Sequence, residues 1–108
     1  EVVEHIEKNK GYRTEGLTIR ELATQMNVKE YKLRQAINQN LGFRNFNEFL
    51  NSYRIDEACS LLADRANRQM TVIEIVYKVG YNSLAPFNRA FKEITGMTPT
   101  AWRREKLK

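Results

Sequence analysis

Two stretches of the chain share one pattern of apolar and polar positions. In the stretch from Met70 to Tyr81, Thr71 and Glu74 stand three apart, the spacing of a capping box that starts a helix. Ile73, Val76 and Tyr77 follow at i, i+3, i+4 and predict its buried face. Gly80 supplies the backbone freedom that a sharp turn after a helix needs. Ser83 stands at the N-cap of the next helix. Pro86 is tolerated in its first turn, where a missing N–H breaks no intrahelical bond. Phe87, Ala90, Phe91 and Ile94 predict the buried stripe, and Asn88, Arg89 and Lys92 share the opposite face. Gly96 stops this helix and Pro99 prevents a restart. Two short helices at a steep angle, the second polar and basic outside, make a helix-turn-helix.

The same pattern occurs 53 to 54 residues earlier. Leu17-Thr18 answers Met70-Thr71, Glu21 answers Glu74, Val28 answers Tyr81, Leu33 answers Phe87, Gly42 answers Gly96 and Phe49 answers Trp102. Thr18 and Glu21 form the second capping box, opening a helix with Ile19, Leu22, Ala23 and Met26 inward. Asn27-Val28 makes the turn, and a helix over 29–40 turns Leu33, Ala36 and Ile37 inward, then Leu41, before Gly42. Residues 2–10 read as a first helix with Val2, Val3 and Ile6 inward, and 11–16 as a loop.

Between the repeats, Asn45 with Glu48 caps a long helix running to about residue 64, with Phe49, Leu50, Tyr53, Ala58, Leu61 and Leu62 on its apolar face. At roughly 1.5 Å per residue that rod spans about 25 Å. Such a rod suits two recognition helices about 34 Å apart, one turn of B-DNA. The chain therefore reads as all-α, with about seven helices. Residues 1–44 form one helix-turn-helix subdomain and 65–108 the other, with 45–64 as the linker helix.

Charge sharpens this reading. The 108 residues carry a net charge of +5. Residues 29–44 hold four basic groups against one acidic, and residues 80–108 six against two. The remaining segments are nearly neutral, so the excess sits on the two proposed recognition elements and the turns after them, as expected for two contact points on a polyanion. Paired carboxylates, a nucleophile with its base and a phosphate-cradling glycine loop are missing from the sequence, which argues against an enzyme. The lone His5 and lone Cys59 leave no metal-ligand cluster. No cofactor is implied. No apolar run reaches the roughly 20 residues of a membrane span, and no secretory or transit signal is present. A single cysteine excludes an internal disulfide and suits a reducing compartment. Opening on Glu1, the chain reads as a piece of a longer protein.

From Ile73 through Val76, Gly80-Tyr81, Ser83, Phe87, Arg89, Phe91-Lys92, Gly96, Thr98-Pro99 and Trp102-Arg103, the residues and spacing resemble the signature of AraC/XylS-type transcriptional regulators. The run Arg54-x-x-x-Ala58-x-x-Leu61-Leu62 resembles that family's linker helix. The resemblance covers nearly the whole chain, residues 1–16 least specifically. It implies duplex DNA as partner, a bacterial cytoplasmic protein at the nucleoid, a contact with RNA polymerase, and an N-terminal effector or dimerisation domain outside this fragment. The first unit departs from the pattern. Where relatives commonly show Leu-x-Arg-x-Phe-Lys, this chain has Leu33-Arg-Gln35-Ala-Ile37-Asn38, and Lys29 replaces a common Ser cap.

Candidate contacts follow from reach and chemistry. Arg89 can donate two hydrogen bonds to guanine O6 and N7, and Asn88 can pair with adenine N6 and N7. Leu84 and Ala85 can touch a thymine methyl. Tyr31, Lys32, Arg34 and Gln35 occupy the corresponding surface of the first unit, and the resemblance implies base or nearby backbone contacts for Tyr31, Arg34 and Gln35. Lys29, Arg44, Arg54, Ser83, Lys92, Thr98, Arg103 and Arg104 are the phosphate-contact candidates. Such contacts position a protein without reading sequence. Arg54 has a local alternative, pairing with Asp56 or Glu57. The other reading of the basic faces is a protein-interaction module that binds an acidic partner or RNA polymerase.

Overall fold

Every N-cap pair expected from threonine or asparagine and a glutamate three residues on is formed. Thr18 Oγ1 accepts from the Glu21 backbone N–H at 3.1 Å, and the Glu21 carboxylate accepts in return from Thr18. Thr71 and Glu74 repeat the arrangement at 3.2 Å, and Asn45 Oδ1 accepts from Glu48 N at 2.8 Å. Thr71→Ala removes one such box and is expected to cost about 1 kcal/mol in a urea titration.

The computed structural model describes residues 1–108 and is all-helical. Seven α-helices follow one another: α1 (Val2–Glu7), α2 (Ile19–Met26), α3 (Glu30–Gln35), α4 (Phe46–Ala63), α5 (Val72–Val79), α6 (Leu84–Thr95) and α7 (Pro99–Lys106). Helices α2 and α3 form one helix-turn-helix and α5 and α6 the other, with α4 between them. The turns use left-handed residues, Asn27 after α2 and Gly80 after α5.

Two separate cores share α4. Phe49 and Leu50 from its N-terminal half close the first, with Val2, Ile6, Tyr12, Leu17, Leu22, Ala23, Leu33 and Ile37. Ile55, Ala58 and Leu62 from its C-terminal half close the second, with Ile75, Val76, Val79, Tyr81, Phe87, Ala90 and Phe91. Edge-to-face contacts stiffen both: Phe49 on Tyr53 at 5.6 Å, and Phe91 on Trp102 at 6.1 Å. The molecule extends 46 × 23 × 22 Å.

Several expected faces differ. In α5 the buried residues are Ile75, Val76 and Val79, whereas Ile73 is 39% and Tyr77 57% exposed. The apolar run offers two registers. Val72, Ile75, Val76 and Val79 continue over two turns while the expected set spans one, and the longer stripe is the one that packs. Ile94 is 52% exposed: Trp102 closes the second core at Phe91, and Ile94 lines an open groove beside α4. The helix over 29–40 is α-helical only for Glu30–Gln35 and widens to a π turn over Ala36–Asn40, which leaves Leu41 exposed. The first helix ends at Glu7. Residues Lys8–Arg13 form a 3₁₀ segment with Asn9 and Lys10 left-handed, and the reversal buries Tyr12 where a loop was expected. On α4, Ile55 is fully buried and Tyr53 and Leu61 only partly.

Candidate nucleic-acid interface

The interface begins with helix periodicity. At about 100° per residue, burying Phe87, Ala90 and Phe91 turns Ala85, Arg89 and Lys92 to the middle of the outer face of α6. Leu84 and Asn88 flank it on one side, where a shallow cleft runs to Ile73 and to Thr98 and Thr100 at the start of α7. On the other side Arg89 borders a polar notch with Asn82, Asn47, Asn51 and Glu93. None of the ion pairs in the structure involves Arg89, Lys92 or Arg104. Their charges are free to meet an external anion.

Ser83 occupies the N-cap of α6, but its hydroxyl makes no capping bond. Pro86 removes one of its two usual donors. An N-cap side chain accepts from the N–H of the second or third helical residue, and the third residue here has none. The Ser83 hydroxyl and the N–H groups of Leu84 and Ala85 have no intrahelical partner, an arrangement suited to an anion. Thr98, by contrast, uses its Oγ1 to accept from Ala101 N at 3.1 Å.

In the first unit, burial of Leu33 and Ile37 turns Tyr31, Gln35 and Asn38 outward, at the positions of Ala85, Arg89 and Lys92. This face carries no charge at its centre. Tyr31 is 62% exposed, and Gln35 Nε2 donates to Gln39 at 3.3 Å. Arg34 lies at the edge and is held by Glu30 at 2.6 Å. The Arg34 guanidinium keeps the Glu30 carboxyl below the usual carboxylate range. Lys29 stands at the N-cap of α3 with no side-chain cap. Lys32 turns aside to a shallow apolar hollow with Val28 and Leu41. Arg44 is exposed but engaged by Glu48 at 2.8 Å and approaches Glu93 of α6 at 3.6 Å. The Arg44 backbone N–H, then its side chain, hold the Glu48 carboxyl low.

Two phosphate candidates are placed otherwise than expected. Arg54 is 8% exposed and donates from Nε to Tyr12 O at 2.8 Å and from Nη2 to Thr14 O at 2.9 Å. It pairs with neither Asp56 nor Glu57. Arg103 is half-buried and reaches Asn67 O at 3.5 Å. With α7 packed on α4 through Trp102, whose Nε1 donates to Cys59 O at 3.1 Å, Arg103 faces the loop after α4 and Arg104 remains outside.

A family model described as "Helix-turn-helix domain" matches residues 22–105. The chain belongs to this family, in its AraC/XylS form. It is 32% identical over 90 residues to the HTH-type transcriptional regulator YtdP of Bacillus subtilis, covering 83% of this chain and 11% of that protein. The fold superposes on the C-terminal domain of AraT, a response regulator from Geobacillus stearothermophilus, with TM-score 0.82 and 28% identity, covering 99% of this chain and 87% of that one. A Listeria innocua protein gives TM-score 0.78 and 28% identity, with 96% and 92% covered. The chain thus spans about a ninth of the length of the curated relative.

Within this AraC/XylS-type domain, sequence reasoning overlooked Glu57 as a long-range partner. Glu57 is bonded by Tyr12 and Arg13, 45 and 44 residues away, a separation that no local pattern signals.

Proposed function

We propose that the domain is the sequence-reading part of a transcription regulator and binds duplex DNA with α3 and α6 in consecutive major grooves on one face. The observation that carries this reading is the repeated unit itself. The same helix faces outward twice, on a molecule 46 Å long, which exceeds one duplex turn of about 34 Å. A monomer then covers what commonly takes a dimer.

The two readers differ in chemistry. In α6, Arg89 addresses a guanine, Asn88 an adenine, and Leu84 and Ala85 a thymine methyl. Lys92, Ser83 and Arg104 hold phosphates around it. In α3, Gln35 suits an adenine and Tyr31 packs against bases or sugar. Lys29, and Arg44 on release from Glu48, hold the backbone. No enzymatic step is part of this function. In the full-length protein an N-terminal effector or dimerisation domain controls the reader, and a contact with RNA polymerase converts binding into regulation at the nucleoid. The small share of the Bacillus relative that this domain covers supports a larger protein.

The test is selection from a randomised duplex library, followed by salt titration of the selected sites. Two short elements one helical turn apart should be enriched, and log K should fall against log salt with a slope of about −0.9 per phosphate neutralised. Enrichment of one element alone would confine base reading to α6. Equal affinity for every sequence would sink the proposal.

A further inference from the structure

The two units are joined through α4, whose first half belongs to one core and whose second half belongs to the other. The reversed segment Lys8–Arg13 crosses that boundary. The Tyr12 ring stacks on Tyr53 at 5.5 Å on the first-unit side, while its hydroxyl donates to Glu57 Oε1 at 3.0 Å. Arg13 Nε donates to the same oxygen at 2.9 Å, and its Nη2 pairs with the other oxygen. Lys10 Nζ lies 3.7 Å from Glu57.

Arg54 closes the arrangement from below. Its guanidinium donates to the carbonyls of Tyr12 and Thr14 and lies 5.4 Å from the ring centre of Tyr81, a residue of the second core. The Tyr81 hydroxyl in turn donates to Asn51 of α4. The second helix-turn-helix touches the same place. A Cβ on Gly80 would stand 2.8 Å from Arg54 Nε and 3.0 Å from the carbonyls of Arg13 and Tyr12. A segment of the first unit, the middle of α4 and the turn of the second unit therefore meet in one polar joint. A buried arginine and a half-buried glutamate hold it, and such groups favour one arrangement over neighbouring ones when every partner is satisfied.

We propose that this joint is a spacing gauge. Arg54 and Glu57 are positioning residues that hold the outer faces of α3 and α6 at one separation, and so set how many base pairs the protein accepts between its two DNA elements. The inference rests on the two-groove reading above. Inserting one base pair moves an element about 3.4 Å along and about 35° around the duplex, a displacement that a stiff joint does not follow and a loose one does.

Glu57→Ala is the informative variant, because it unties Tyr12, Arg13 and Lys10 at a helical position that alanine suits, and touches neither outer face. Glu57→Gln, which keeps an acceptor for Tyr12, should restore part of the effect. Two readouts are needed. The first, without DNA, is the electron–electron distance distribution between spin labels at Gln25→Cys and Glu105→Cys in a Cys59→Ala background. It should be narrow with Glu57 present and broader in Glu57→Ala. The second is affinity for duplexes carrying both selected elements at the selected spacing and at one base pair more or less. The parent should lose about tenfold or more at either altered spacing, and Glu57→Ala should lose no more than about threefold, with unchanged affinity for a single element. A Glu57→Ala protein that keeps the parent's spacing profile overturns the proposal. So does a parent indifferent to spacing, and the distance measurement then separates the causes. Broadening in the variant would show a real joint but a failed two-groove reading, and no broadening would show that the joint does not hold the units.

Discussion

Gly80→Ala should lower the thermal midpoint by about 15 °C or more, the largest effect expected of any single methyl group in this chain. Gly80 has φ of +119°, where an L side chain is strained, at a cost of about 1–3 kcal/mol. Strain is only part of the effect. The added Cβ would press on the carbonyl oxygens of Tyr12 and Arg13 at 3.0 Å, and these are main-chain atoms that cannot swing aside. Relief requires the turn of the second unit to back away from the first, and Arg54 then loses its fit between the carbonyls of Tyr12 and Thr14 and the Tyr81 ring. Gly96→Ala is the control. Its φ is +77°, but a Cβ there meets nothing within 4 Å, so only the left-handed backbone penalty of about 1–2 kcal/mol remains. Differential scanning calorimetry on the two variants separates the crowding from the strain. Equal losses would mean that the close approach at Gly80 contributes nothing.

Arg89→Ala should weaken binding to the selected site by about 1–3 kcal/mol, roughly five- to 150-fold, and relax the preference at one base pair. The expectation rests on its place at the middle of the α6 face, exposed and without an ion pair. No intramolecular partner is surrendered when it enters a groove. Arg34 offers the contrast: it must first leave Glu30, so the gain on binding is partly offset and its substitution should cost less. Lys92→Ala should act differently again. It should reduce affinity for all sequences alike and make the salt slope shallower by about 0.9. Titration of the three variants against the selected site and against single-base variants of it distinguishes these patterns. An Arg89→Ala protein with undiminished discrimination at every position would remove Arg89 from the base readers.

The helix starts were legible because each depends on two residues three apart: Thr18 with Glu21, Asn45 with Glu48, Thr71 with Glu74. The duplication was legible for the same reason, since turns, caps and stops recur at one offset. Which side of α5 packs was not, because its apolar run Val72, Ile73, Ile75, Val76, Tyr77 and Val79 supports two registers. The outward placement of Arg89, Lys92, Tyr31 and Gln35 followed from the stripes of Phe87 and Phe91, and of Leu33 and Ile37. Arg54 was misread. A basic residue on a helix, with acids two and three positions on, looks like a surface group, yet its partners are carbonyls 42 and 40 residues away. The left-handed pair Asn9 and Lys10, which brings those carbonyls into place, carries no composition signal, as Lys10 is an unusual residue for that backbone.

The division of α4 between two cores bears on how such a domain can have arisen and can be altered. Its two helix-turn-helix units look like exchangeable copies, but neither owns all of its walls. Phe49 and Leu50 close the first core while Ile55, Ala58 and Leu62, within four turns of the same helix, close the second. Any cut that frees one unit strips a wall from it or from its neighbour. A recombination joint placed in α4 would also have to preserve the helical phase, since a one-residue slip rotates everything beyond it by about 100°. The two units therefore stand or fall together when the domain is transplanted, whereas side chains on the outer faces can be replaced without touching the shared walls.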